Sequence, residues 1–461
     1  MNSDEPFFAQ PLMTSFDPAI LAVDPERRAR ILLVLQAALD AVAPGPAVQR
    51  ALTGPAAPDL SRFHRVLLLG FGKAAVPMGA AACAALGRVD AGVLVTKHGH
   101  AAGAEALPPA VAVYQAGHPV PDEAGVTAAA AVAALAASAT ADDLVLCVVS
   151  GGGSALLTLP APGLSLNDLQ AVTAALLRCG APIHEINAVR KHLEQLKGGQ
   201  LARLAAPATL LTLVLSDVVG SPLDVIASGP TIPDSSCWQE VAAIVQRYDL
   251  AAALPAAVLQ RVEQGSRGLL ADTPKADDAV FRGSRTEIVA DNAIAAQAAC
   301  RAAQAAGFQA QILTTFLEGE ARDAAKLAVA LGREVLTHAR PLTAPACLLL
   351  GGETTVTLRG QGRGGRNQEL ALAAALTLAR IPGGERLVLA ALASDGSDGP
   401  TDSAGALADA GTVGRGAALG LDAETHLAGN DAYPFLTASG DLLRSGPTQT
   451  NVNDLLALFV F

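Results

Sequence analysis

Aromatic side chains make up only 3% of the 461 residues, and charged ones 16% against an ordinary level of about 25%. With 51% hydrophobic residues beside them, so little charge excludes a disordered chain and implies soluble, well-packed cores of small aliphatic residues. No apolar run approaches the roughly 18 residues of a membrane span. Cysteine is dispersed: Cys83, Cys147, Cys179, Cys237, Cys300 and Cys347 include no CxxC and no pair closer than 32 residues. That spacing excludes a disulfide framework and a zinc site, and it fits a reducing compartment. The opening MNSDEPFFAQPLM lacks both a basic and an apolar segment, so neither a secretory signal nor a transit peptide is expected and the protein reads as cytoplasmic. Positive charge is also in short supply, since 32 Lys and Arg against 43 Asp and Glu leave a formal charge of -11. The chain has no overall field for collecting nucleic acid, and an anionic ligand must be held by local geometry.

What the chain does have is alternation. Aliphatic runs at 66–69, 92–95, 111–114, 144–149 and 210–215 alternate with Ala-rich helical stretches at 73–86, 122–137, 166–177 and 193–204. Strands buried on both faces of a parallel sheet, with their covering helices, have this pattern. A helix opening at Asp24-Pro25 and ending at the Pro44-Gly45-Pro46 breaker (24–43) can pack on either domain. The rhythm weakens between 230 and 285. It resumes with strands expected at 286–290, 309–314, 346–350, 354–358, 386–391 and 455–459, and helices at 292–306, 319–336 and 368–379. The expected architecture is two α/β domains: a Rossmann-like parallel-sheet domain over 1–280 and a smaller mixed α/β domain over 281–461, with a cleft between them.

Loops after the strands carry the chemistry. Gly70, Gly72 and Lys73 follow the first strand and open a helix, which brings backbone N–H groups and a full positive charge to one point. A tight turn alone is the other account of these glycines. The four-residue spacer of a P-loop is missing, and Val76 stands where a dinucleotide fingerprint needs its third small residue. Ser150, Gly151, Gly152, Gly153 and Ser154 follow the strand at 144–149, where open α/β sheets bind ligands, and the two serines suit phosphate oxygens. Asn187, Arg190 and Lys191 share one helix face as an anion clamp or as solvated charges. His184 and His192 have no ligand-spaced partner and imply no metal.

Asp217 ends the strand at 210–215, where a carboxylate either holds Mg²⁺ or caps the next segment, with Ser228, Gly229 and Thr231 close by. Further on, Glu353, Gly360, Gly362, Arg363, Gly364, Gly365, Arg366, Asn367 and Gln368 precede a helix and offer another anion-receiving geometry. Asp395, Asp398 and Asp402 follow the next strand. An EF-hand fails for want of its bidentate Glu, but the carboxylates can bind Mg²⁺ or serve as a general base. Six windows around these loops, 74 residues in all, hold 19 of the 44 glycines together with seven cations and seven carboxylates. Phosphoryl transfer needs anion cradles, cations and separate carboxylates in this combination.

The motifs GFGKA (70–74), SGGGSALL (150–157), INAVRKHL (186–193), KGG (197–199), SDVVG (216–220), IASGPT (226–231), GGETTVT (351–357), GRGGRNQE (362–369), SDGSDGPTD (394–402) and GPTQTNVND (446–454) resemble, in order and spacing, one class of glycerate 2-kinases. Its members pair an N-terminal glycerate-kinase domain with a C-terminal MOFRL domain and are often labelled hydroxypyruvate reductases. The resemblance spans nearly the whole chain. It implies ATP- and Mg²⁺-dependent phosphorylation of (R)-glycerate to 2-phosphoglycerate in the cleft between the domains, by a monomer or homodimer that binds neither nucleic acid nor membrane. It further implies that Lys73 neutralises the transferring phosphoryl group, that Arg366 holds the substrate carboxylate or the phosphate, and that Asp217 positions Mg²⁺. Asp395 or Asp398 would face the metal or the glycerate hydroxyl, and 150–154 would cradle nucleotide phosphates. Glu194, Ser221, Ser394 and Ser445 depart from the family pattern; Ser221 removes one acidic side chain. An NAD(P)H-dependent hydroxypyruvate reductase is the alternative, against which the defective fingerprint and the surplus of anion-binding loops weigh.

Overall fold

The computed structural model describes residue 16 and residues 21–461, so the reading of the first thirteen residues lies outside the described part. Two compact units divide the chain. One is 44–289; the other joins 290–461 to the described residues before 44. No single described helix is long and apolar enough to cross a membrane.

The first unit is built on strands β1 (Arg65–Phe71), β2 (Ala91–Lys97), β3 (Val111–Ala116), β4 (Asp143–Val149), β5 (Thr209–Leu215) and β6 (Arg285–Ala290). Their order is β3-β2-β1-β4-β5-β6, that of dinucleotide-binding folds, whose ligand crevice opens at the carboxyl ends of the two central strands. Here those strands are β1 and β4, paired in parallel from Arg65 with Asp143 to Phe71 with Val149. Both are aliphatic and almost wholly buried, and helix Glu123–Ala137 lies over β2, β3 and the edge of β1, bringing Ala128, Ala129 and Val132 into the same core. The alanines matter for approach distance as well as propensity, because small side chains let helices lie close to the sheet. Gly79 of helix Ala75–Leu86 lies so near that an added Cβ would stand 2.6 Å from Leu94.

Three expectations about the first unit need correction. Residues 286–290, expected to open the second set, add a strand to the first sheet beside β5. The helix expected at 193–204 is broken. Helix Ile183–Leu193 stops as that stretch begins, and only Gln200–Ala205 is helical, because Gly198 and Gly199 take φ of 59° and 79°. The Pro44-Gly45-Pro46 breaker ends one helix but also opens another, Pro44–Thr53, since proline fits a first turn whose N–H groups have no intrahelical partner.

The second unit holds β7 (Gln309–Leu317), β8 (Ala346–Gly352), β9 (Leu387–Ala393), β10 (Gly405–Ala408), β11 (Leu442–Leu443) and β12 (Asp454–Val460), ordered β11-β10-β9-β12-β8-β7. The sheet is mixed: β12 runs antiparallel to both β8 and β9, while β7 and β8 are parallel. Helix Arg366–Leu378 is buried along most of its length against helix Ala321–His338 and the sheet. Helix Pro25–Ala41 packs on helix Asn292–Ala305 of this unit, capped by Asp24, whose carboxylate accepts from Glu26 N and Arg27 N at 3.1 Å. Residues 354–358 are not a strand. β8 already has a neighbour on each side, and Gly352, with φ of 147°, turns the chain away beside the Leu317 backbone.

Candidate active-site loops

In the first unit the two glycine loops at the ends of β1 and β4 grip each other. Ser150 N donates to Phe71 O at 3.1 Å, Lys73 N to Gly151 O at 2.9 Å, Ala74 N to Ser150 Oγ at 3.0 Å, and Gly72 N to Val95 O at 3.1 Å. The crossing is too tight for a side chain. Gly72 has φ of 127°, and a Cβ there would fall 2.2 Å from Ser150 Oγ. Gly70 has a different reason, since its missing Cβ leaves room for Leu94 and Val148 within β1. The backbone N–H groups of 72–74 are therefore consumed inside the protein, so this turn offers an anion only the Lys73 ammonium. Ser150, 1% exposed, is a lock between loops and not the phosphate contact expected of it.

The anion-receiving backbone lies one loop further on. Gly151 N and Gly152 N meet no acceptor among the described residues. Asp217, just past the end of β5, presses its carboxylate on the same loop: a Cβ at Gly151 would stand 1.9 Å from Asp217 Oδ2. Lys73 reaches it too, with Cγ 3.5 Å from the Cβ position of Gly152. Lys73 is half-buried and makes no ion pair among the described residues. Next to these groups stand His118, His100 and Lys97, which sequence spacing did not connect to Lys73.

The expected clamp on helix Ile183–Leu193 comes apart into separate tasks. Lys191 is neutralised in the interior by Asp234 at 3.1 Å, with Asp224 at 3.8 Å. Burial opposes the Asp234 charge, but Lys191, Ser236 and Thr273 hold its pKa below the usual carboxylate value. Asn187 accepts from Ser228 Oγ at 3.2 Å, and Ser228 Oγ meets Ser154 Oγ at 2.9 Å. Arg190 donates to Ser154 O at 2.9 Å and faces Glu194, which is itself paired with buried Lys197. Asn187, Ser228 and Thr231 are all buried, Thr231 behind Thr212. Asn187 and Ser228 thereby back the Ser154 end of the triglycine loop. Ala227, Ser228 and Gly229 all take left-handed φ between 51° and 61°. Such strain in non-glycine residues survives only where the surroundings over-determine it; Gly198 N bonds Ser228 O and Gly199 N bonds Gly229 O.

In the second unit Arg366 is held on two sides. Its Nε and Nη2 clasp Asp454, the latter at 3.0 Å, and Nη1 donates to Glu353 at 2.6 Å. Asn453 Nδ2 donates to the other Glu353 oxygen at 2.8 Å. Burial works against the Arg366 charge, but Asp454, then Glu353 and Asp398, keep its pKa above the ordinary guanidinium value. Three of the five N–H donors are engaged, leaving one on each terminal nitrogen for an incoming oxygen pair. Asp454 stood in a matched motif but was not singled out, because its role depends on a partner 88 residues away.

The helix that Arg366 opens does not receive an external anion. Its N-terminus is already occupied by Asp398, which accepts from Asn367 N at 3.1 Å and Gln368 N at 2.8 Å. Asn367 and Gln368 are buried and turn their side chains to Asp398 and Thr401, so none of these three has the ligand contact expected. Asp398 is 2% exposed, and burial pushes its carboxyl up to about 7 despite the two N–H bonds. Asp395, partly exposed, accepts only from Ser397 N, at 3.0 Å, among its own side-chain contacts. Arg363 lies over the Tyr433 ring at 4.5 Å. Gly360 and Gly362 press on the 429–431 backbone, where Asn430 Oδ1 accepts from Arg359 N and Gly360 N.

Among the described residues no three His, Cys, Asp or Glu side chains converge to hold a metal. Asp217 and Asp395 therefore do not belong to an all-protein cage. Mg²⁺ needs none, because it is commonly bound by one or two carboxylates with substrate phosphates and water completing the shell. Asp217 against the free N–H groups of the triglycine loop fits that mode.

A family model described as a domain of unknown function (DUF4147) matches residues 30–263, and the MOFRL family model matches 346–454. A protein of Thermotoga maritima named D-glycerate 2-kinase is 42% identical over 94% of this chain and 98% of its own length. A protein of Agrobacterium vitis that carries a hydroxypyruvate reductase name is 40% identical over 86% of this chain and 87% of its own. The crystal structure of a Thermotoga maritima glycerate kinase superposes with a TM-score of 0.86 at 40% identity, covering 95% of this chain and all of that one. With relatives this similar over this much of its length, the chain belongs to the glycerate kinase family.

Proposed function

We propose that the protein transfers the γ-phosphoryl group of ATP, with Mg²⁺, to the 2-hydroxyl of (R)-glycerate, forming 2-phosphoglycerate and ADP. The observation that carries this reading is the pairing of Lys73, a cation without a carboxylate partner, with the unoccupied N–H groups of Gly151 and Gly152 at the ends of the central strands. An acidic protein that leaves such a group uncompensated has provided for an anion. Lys73 and the two N–H groups hold phosphate oxygens and take up the charge that spreads over them in the transition state. Asp217 is the carboxylate that would hold Mg²⁺, which would supply positive charge to neutralise phosphate oxygens.

Arg366, fixed by Asp454 and Glu353, offers its two remaining N–H donors to the glycerate carboxylate. Asp395 is the better base, because Asp398 is committed to the helix N-terminus. The C2 oxygen bonds to phosphorus as the bond from phosphorus to the ADP oxygen breaks, and the hydroxyl proton passes to the Asp395 carboxylate. Free thiols throughout support a cytoplasmic setting.

A reductase is the competing reading, and the strand order favours a dinucleotide. Two details weigh against it. Lys97 ends β2, where folds that take NAD carry the acid for the ribose hydroxyls, which weighs against NADH, and the occupied N–H groups of 72–74 weigh against either dinucleotide. Incubating purified protein with ATP, Mg²⁺ and (R)-glycerate should yield the 2-phosphate by ³¹P NMR. Formation of the 3-phosphate would refute the regiochemistry, and NADH oxidation by hydroxypyruvate without ATP would refute the kinase.

A further inference from the structure

The cradle at Gly152 has a wall that neither motif nor spacing revealed. A Cβ placed on Gly152 would stand 3.0 Å from His118 Cδ2 and 3.2 Å from its Nε2, on the glycine that also borders the Lys73 stem. A side chain there would crowd the imidazole and stand in contact with the Lys73 stem. Neither ring nitrogen of His118 meets a hydrogen-bond partner among the described residues. By contrast His98 meets Asp122 at 3.0 Å and His192 meets Asp272 at 2.7 Å, whereas His100 shares the unbonded state of His118 among the described residues.

The charges around His118 are of one sign. Burial first, then Lys73, Lys97 and His100, hold its pKa below the ordinary histidine value, and burial with the same two lysines does so for His100. The nearest acid in sequence, Asp122, is turned to His98 and to the N–H groups of Gly117 and Gly125. Lys97, like Lys73, has no ion-pair partner among the described residues, whereas Lys191 and Lys197 deeper in the same unit are both paired. Lys73 and Lys97, with no carboxylate paired to either among the described residues, repel one another and oppose protonation of the two imidazoles, and a multiply charged anion among them removes that cost.

We propose that His118 is a further phosphate-binding residue, donating from Nε2 to an oxygen of the phosphate held by Lys73 and the Gly152 N–H. The proposal rests on the phosphoryl-transfer reading. A neutral imidazole suits the position because it donates one N–H without adding a third full charge beside Lys73 and Lys97. His118 then fixes the orientation of the phosphate while Lys73 supplies the charge.

Two measurements on the full-length protein test this. Pyrophosphate is titrated into protein labelled at histidine, with the His118 ring signals identified by their loss in H118Q. We expect them to move saturably, and to stay still in K73A if the two share one phosphate. In steady-state assays H118A should lower kcat/KM for ATP about 10- to 100-fold, the value of a hydrogen bond to a charged oxygen. The glycerate KM should change less than about threefold, and H118Q should recover part of the loss. Ring signals unmoved by pyrophosphate, or wild-type kcat/KM in a folded H118A, would overturn the proposal. If the wild-type protein phosphorylates no glycerate, the functional reading fails by itself, and the pyrophosphate titration still decides the role of His118.

Discussion

Asp217 occupies the space that a side chain at position 151 would need, with its Oδ2 1.9 Å from where a Gly151 Cβ would be. The glycine is thus the condition for the carboxylate's position. Gly151→Ala should displace Asp217, lower turnover at least 100-fold and cost about 1–3 kcal/mol of stability through overpacking. Steady-state kinetics with urea unfolding measures both; normal turnover in the variant would mean that Asp217 has no part in the reaction.

Lys73 and Arg366 should respond differently to removal. The Lys73 ammonium pairs with nothing among the described residues, so Lys73→Ala should lower kcat by about 100-fold or more and leave the melting temperature within about 2 °C. Arg366→Ala strands Asp454, 8% exposed, without its cation, and should cost about 3 kcal/mol of stability as well as activity. Calorimetry of the two variants separates a cation held ready for ligand from one built into the fold.

Asp217→Asn should raise the Mg²⁺ concentration needed for half-maximal rate about tenfold, because it removes one of the one or two carboxylates such a site uses. Asp395→Asn should instead lower kcat with the Mg²⁺ dependence unchanged. Magnesium titrations of both variants make the comparison, and a reversed pattern would exchange the two roles.

Asp398 ties stability to pH in the direction opposite to most aspartates. Its folded-state value of about 7 lies above the ordinary aspartate value of 3.8, so the folded protein binds an extra proton between those limits. Its contribution is most favourable below about pH 4 and declines as pH rises towards 7. The stability of wild type relative to Asp398→Asn should therefore fall between pH 4 and pH 7, as read from urea midpoints, and a difference independent of pH would show that the carboxyl titrates normally.

Some of this was legible in the residues and some was not, for physical reasons. The aliphatic strands β1, β2, β4 and β5 announce themselves because they are buried on both faces, and Lys73 stands out as a cation after a strand and two glycines. Sequence does not separate Gly70 from Gly72, although one leaves room for Leu94 and Val148 and the other lets two backbones cross. It does not show which N–H groups remain free, since those of 72–74 are consumed by Val95, Gly151 and Ser150 on other strands and loops. Asp398 reads as a ligand-facing carboxylate because the Asp-rich turn looks alike whether it faces a ligand or a buried helix end. His118 and Asp454 were passed over because what they meet lies 34 and 88 residues away in the chain.

The place of β12 between β8 and β9 bears on the order of synthesis. The unit over 44–289 is contiguous and can complete its sheet while later residues are still being made. The other sheet has its middle strand at 454–460, so until that segment leaves the ribosome both β8 and β9 present an unpaired hydrophobic edge. Arrested nascent chains ending near residue 440 should show protease resistance over 44–289 and cleavage throughout 290–440. Such chains are the ones that should depend on a chaperone.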